Sequence, residues 1–174
     1  LDAEPGGREL AHAAGVGARL EAGVVRLILL LKLNALAQGA SGISLDAMAA
    51  LAALINHDVL PVIPGQGSVG ASGDLAPLAH MSLLLIGEGA ATVKGKRLNG
   101  ADALAAAGTK AVVLGPKEGL ALLNGTQVSM ALALAGRASI NLNHTLGEAQ
   151  VARMCALAGI RTIISAKAYL ARLD

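Results

Sequence analysis

The 174-residue chain holds no Phe and no Trp, and its one aromatic residue besides His is Tyr169. A core without large rings must be built from Leu, Ala, Ile, Val and Met. The same absence removes the side chains on which nucleic-acid bases usually stack. Charge is scarce as well, at 15% of residues, and 14 Lys and Arg stand against 12 Asp and Glu for a formal net charge of +2. So balanced a sum, with no dense basic stripe, argues against a nucleic-acid partner. Cys155 is alone, which leaves neither a disulfide framework nor a Cys-based zinc site, and fits a reducing cytoplasm. Long apolar runs are missing too. The greasiest stretch, Val24 to Leu36, is interrupted by Arg26, Lys32 and Asn34 and is too short to span a bilayer, so no membrane partner is expected. The amino end, Leu1-Asp2-Ala3-Glu4-Pro5, lacks the basic-then-apolar layout of a signal peptide. A first residue that is Leu rather than Met is the expected mark of a fragment or a processed chain.

What is present is Leu and Ala, within an apolar fraction of 54%. Both residues lose little side-chain freedom in a helix, so the composition predicts a mainly α protein, a helical bundle with one interruption. A first helix is expected from about Arg19 to Gln38, ended by Gly39 and Gly42, and Ser44 is a good N-cap for a second over Leu45 to Asn56. From Val59 to Gly73 the chain turns Pro- and Gly-rich, which no helix survives, and an irregular loop is expected. Apolar spacing resumes at Leu75, Leu78, Met81, Leu84 and Leu85 as a helix. Ala91 to Leu98, around Lys94-Gly95-Lys96, reads as a small hairpin, and Gly100 to Ala107 as a short helix. Pro116 is placed for the first turn of a long helix continuing from Lys117 to about Asn143, and a helical tail follows from Gly147 to Asp174.

The loop itself is the informative stretch. Gly65-x-Gly67-x-x-Gly70 matches a dinucleotide-binding fingerprint, with Glu88 near the distance of an acidic ribose partner. Against that reading, Pro61 and Pro64 remove ladder donors from the required strand, and no βαβ alternation follows. Ala71-Ser72-Gly73 offers a different chemistry. If the amide nitrogen of Gly73 attacks the carbonyl carbon of Ala71, a five-membered ring closes, and loss of two waters leaves an exocyclic methylene. Gly73 lets its nitrogen approach at angles a Cβ would block, Ser72 supplies the hydroxyl that is eliminated, and Ala71 is small enough for the tight fold. The product, a methylidene-imidazolone, is an electrophile made from backbone, and needs no external cofactor. A helix amino end just beyond the loop would favour an electron sink there. Alone, Ala-Ser-Gly is a common tripeptide of flexible loops.

Its context is not common. Gly67-Ser68-Val69-Gly70-Ala71-Ser72-Gly73-Asp74-Leu75-x-Pro77-Leu78-Ala79 is similar to the signature of the aromatic amino acid ammonia-lyases. Two further segments carry the resemblance. Ala11-His12-Ala13-Ala14-Gly15-Val16-Gly17 resembles the segment that selects the substrate side chain, in its histidine-specific form, where phenylalanine-specific members usually carry Phe-Leu. Lys117-Glu118-Gly119-Leu120-Ala121-Leu122-Leu123-Asn124-Gly125-Thr126-Gln127 resembles the family's long-helix motif. The resemblance implies that Ala71, Ser72 and Gly73 form the electrophile and that His12 and Asn124 line the substrate site. It also implies elimination of ammonia from L-histidine to give trans-urocanate, in a homotetramer whose sites draw on several subunits. It covers roughly Leu10 to Leu134, which divides the chain into an expected family region, 1–140, and a helical tail, 141–174, in which no family motif is recognised. The family's catalytic Tyr precedes the His12-type segment, and its second Tyr and carboxylate-binding Arg come from a later motif. None of the three has a match here, and Tyr169 and Arg172 are not assigned to those roles. Two alternatives stand beside the lyase: a truncated or split-gene subunit that serves folding or assembly only, completed by another chain, and a related lyase or aminomutase for another aromatic amino acid.

Overall fold

The computed structural model describes residues 12–68 and 73–137, together with Ala149 and Arg153. Among them are six helices and five short strands. Strand β1 (Val16–Arg19) leads into helix α1 (Ala22–Ala37), followed by α2 (Leu45–Asn56), β2 (Val59–Pro61) and β3 (Pro64–Gln66). Then come α3 (Leu75–Leu85), β4 (Ala90–Val93), β5 (Lys96–Asn99), α4 (Gly100–Ala106), α5 (Glu118–Leu123) and α6 (Gln127–Leu134). The chain is mainly α, as its composition predicts.

Side-chain caps open two of the six helices. The Ser44 hydroxyl accepts the Ala47 N–H at 3.3 Å and opens α2, as its N-cap position predicts. Asn99 does the same for α4, accepting from Asp102 N at 2.9 Å. Helix α1 begins later than the expected Arg19 because residues 16–19 are drawn into an antiparallel strand. Helix α3 is buried on nearly every side, so its apolar residues form no single stripe, and it packs against α2, α4, α5, β2 and β3. Around it one aliphatic core gathers Ile28, Leu29 and Leu36 from α1, Leu51 and Leu54 from α2, Leu84 and Leu85 from α3, and Leu104 from α4. Among the described residues no helix is long and apolar enough to cross a membrane.

Two expectations are corrected. Residues 59–73 are not wholly irregular. Val59–Pro61 forms the edge of a three-stranded antiparallel sheet of order β2-β4-β5, and Pro64–Gln66 pairs antiparallel with β1. Pro61 ends an edge strand and Pro64 begins one, positions where a missing N–H breaks no ladder. Both sheets are antiparallel, so the parallel βαβ frame of a dinucleotide site is absent among the described residues. The expected long helix from Lys117 is also interrupted. Lys117 precedes α5 in a left-handed conformation (φ 68°), and the chain breaks at Asn124–Thr126 before α6 starts. At the break, tertiary partners take the carbonyls that a continuous helix would use itself. Lys32 Nζ donates to Asn124 O at 2.7 Å, and Asp74 N donates to Gly125 O at 2.7 Å. The rest of that expected helix, residues 138–143, and the expected tail helix lie outside the described residues, apart from Ala149 and Arg153.

Candidate active site

The site is built around the point where the Gly-rich loop re-enters the core. Gly73, the last residue of the tripeptide, has φ 118°, a conformation that a side chain disfavours. A Cβ placed on it would lie 2.7 Å from Gly125 O and 3.1 Å from Gly125 N, so the two backbones meet without room for a methyl group. Only a residue without a side chain fits at Gly73. Ala71 and Ser72 lie outside the described residues.

Asp74 follows, at the N-cap position of α3, yet its carboxylate caps a different helix. It is 2% exposed, and it accepts from Ser129 N at 2.9 Å, Ser129 Oγ at 3.0 Å and Ser68 Oγ at 3.2 Å. Ser129 is the third residue of α6, whose own N-cap residue, Thr126, makes no side-chain bond. The Ser129 N–H is one of the donors every helix leaves unpaired at its amino end, and here the loop supplies the acceptor. The main-chain bond from Asp74 N to Gly125 O adds a second tie beside it. Loop exit, α3 and α6 are thus fastened at one residue.

Asn124 stands at the C-terminal end of α5 in an extended conformation, exposed, with Gly125 next to it against Gly73. Gln127 is 8% exposed. Its amide lies over Gly125, and its Oε1 has no hydrogen-bond partner among the described residues. The structure therefore brings Gly73 and the Asn124 turn together directly.

His12 reaches the loop by another route. It is exposed, and its carbonyl accepts from Ala14 N at 2.8 Å. Gly15, three residues on, donates its N–H to His80 Nε2 at 3.1 Å, and β1 then pairs Val16 with Gln66 at the loop's entrance. His80 lies on α3, so the His12 segment is tied both to the loop and to the helix that follows it. Burial lowers the His80 pKa below its ordinary 6.5, which keeps the ring neutral and able to accept.

Sequence reasoning passed over Asp74, His80, Lys32 and Gln127. Asp74 and His80 were within sight, inside or just beyond the signature string. Lys32 left a weaker trace, a lone cation inside Leu29-Leu30-Leu31-Lys32-Leu33.

An antiparallel, mainly helical frame that seats a Gly-rich loop exit against a broken helix defines the class of protein. The chain belongs to the aromatic amino acid lyase family, whose model matches residues 9–171. Its curated relatives include the histidine ammonia-lyase of Desulfotalea psychrophila, 59% identical over 127 residues covering 73% of this chain and 25% of that one. That of Paracidovorax citrulli is 62% identical over the same extents. Among solved structures, histidine ammonia-lyase from Trypanosoma cruzi superposes with a TM-score of 0.69 at 38% identity, over 74% of this chain and 25% of the other. The phenylalanine aminomutase of Pantoea agglomerans gives 0.71 at 35% identity, over 75% and 25%. The chain spans about a quarter of the length of the curated relatives it matches.

Proposed function

We propose that this chain carries the electrophile-forming part of a lyase that eliminates ammonia from L-histidine to give trans-urocanate. The observation that carries the reading is the seating of Gly73 against Gly125, beside Asn124. The choice of histidine is supported by the 59% and 62% identities to histidine ammonia-lyases and by His12 in the side-chain-selecting segment.

In this reading Ala71, Ser72 and Gly73 close a methylidene-imidazolone. The new bond joins Gly73 N to the Ala71 carbonyl carbon, and the Ala71 oxygen and the Ser72 hydroxyl leave as two waters. The finished ring supplies an electrophilic methylene that draws electron density from the substrate, easing loss of an otherwise weakly acidic β-proton. The chain's own residues do the positioning. Gly73 holds a φ of 118° that a side chain would disfavour, and the Asp74–Gly125 and Asp74–Ser129 bonds fix the residue that follows it. His12 is assigned to the substrate side chain and Asn124 to its amino-acid end. The base and the carboxylate-binding Arg have no assigned residue here. Association with further copies is supported by exposed large apolar side chains, among them Leu45, Val113 and Leu134, and a homotetramer is the form the family resemblance implies. A cytoplasmic setting is supported by the single Cys.

The test is the intact mass of the purified chain, with any deficit mapped to the peptide holding residues 71–73. A deficit of two waters, abolished in Ser72→Ala because no hydroxyl remains to eliminate, is the expected result. An unmodified wild-type mass, or a deficit that survives Ser72→Ala, overturns the reading.

A further inference from the structure

Lys32 is 2% exposed, and every other buried residue of α1 is aliphatic. It lies one turn after Ile28 and Leu29 and one turn before Leu36, in the stripe that faces the core. Among the described residues no carboxylate forms an ion pair with it. Its recorded partner is a main-chain carbonyl, that of Asn124, 92 positions along the chain. A cation buried in that way is costly, and a well-packed apolar residue of similar volume would ordinarily serve the core better. Desolvation is felt by the amine, whose pKa is pushed down from 10.5 to about 8. Packing alone does not account for a lysine here.

The place of its partner does. Asn124 O and Gly125 O are consecutive carbonyls at the break between α5 and α6. The first accepts from Lys32 and the second from Asp74 N, each at 2.7 Å. The second carbonyl also occupies the space beside Gly73. We propose that Lys32 is a positioning residue for the loop: by holding the Asn124 carbonyl it keeps the α5–α6 break open and sets the Gly125 carbonyl against Gly73 and Asp74. The role in ring closure rests on the function proposed above, whereas the role in seating the loop does not. Without the amine, the Asn124 carbonyl loses the donor that holds it toward the core. The break between α5 and α6 would then be free to rearrange, withdrawing Gly125 from Gly73.

Amide hydrogen exchange at Asp74 separates the two roles. In Lys32→Met, whose core is expected to fold at least as well as the wild type, protection of the Asp74 N–H should fall by about tenfold or more, the loss of one hydrogen bond. Protection of Leu84 and Leu85 in the body of α3 should stay unchanged. Lys32→Gln, with a donor too short to reach, should behave alike and serves where the Met variant does not fold. Wild-type protection at Asp74 in either folded variant overturns the proposal, and so does an equal loss throughout α3, which is the mark of a merely structural residue. Mass spectrometry reads the second role. Where the wild-type chain carries the two-water deficit, the modified fraction should drop several-fold in Lys32→Met, and full modification overturns a part in ring closure. A wild-type chain without the deficit sinks the functional reading, while exchange at Asp74 still decides the placement of the loop.

Discussion

The carbonyl oxygen of Gly125 stands where a side chain on Gly73 would have to go, 2.7 Å from the position of its Cβ. Two segments some fifty residues apart in the chain therefore meet backbone to backbone, and the contact is sealed by the Asp74 N–H on the same oxygen. Gly73→Ala is expected to push the backbones apart and to strain a φ of 118°. The cost should be on the order of 2 kcal/mol of stability, with the mass deficit at residues 71–73 lost as well. Thermal unfolding and intact mass check both parts.

Asp74 accepts three hydrogen bonds through its two carboxylate oxygens. Asp74→Ala leaves the Ser129 N–H and two hydroxyls without that acceptor and uncaps α6, so a loss of about 3 kcal/mol is expected. Ser129→Ala keeps the main-chain bond and should cost about 1 kcal/mol. Denaturant titration of the two variants would show whether this order holds.

The Gly15–His80 bond gives the His12 segment a pH dependence. The folded pKa of His80 lies below its ordinary 6.5, so the unfolded chain binds more protons across that interval. The stability that neutral His80 contributes is complete above pH 6.5 and is lost as pH falls from 6.5 through the lower folded value. The protonated ring cannot accept at Nε2, and Gly15 loses its partner. His80→Gln should flatten this acid limb in a plot of melting temperature against pH, and an undiminished slope would contradict the assignment.

Lys32 gives a second limb of the same sign at alkaline pH. With a folded pKa of about 8 against 10.5, the unfolded chain again holds more protons between those values, so stability should rise as pH climbs from 8 to 10.5. The full gain is about 3 kcal/mol. The comparison is with Lys32→Met across the same window, where this rise should be missing.

Reading the chain alone went far with local structure. The Ser44 cap, the hairpin around Lys94-Gly95 and the restart of a helix at Leu75 all follow from side chains acting on their own backbone, and such signals survive in a string of letters. The family was equally legible, because its signature is a run of adjacent residue types. The long helix expected from Lys117 failed for the complementary reason. Nothing in Leu122-Leu123-Asn124-Gly125-Thr126 says that the carbonyls of Asn124 and Gly125 are claimed from elsewhere.

By itself, the sequence determined a mainly helical chain with an aliphatic core, and a signature string around Ala71-Ser72-Gly73 that carries the family resemblance. Composition and neighbour-to-neighbour chemistry suffice for those. Only the tertiary structure decided that Asp74 caps a helix other than its own, that His80 holds the His12 segment and that Lys32 spends its charge on a carbonyl 92 residues away. Each of these bonds satisfies a polar group left over at a helix end or a chain crossing. Which group is left over, and which partner stands near it, is fixed only once the helices have packed.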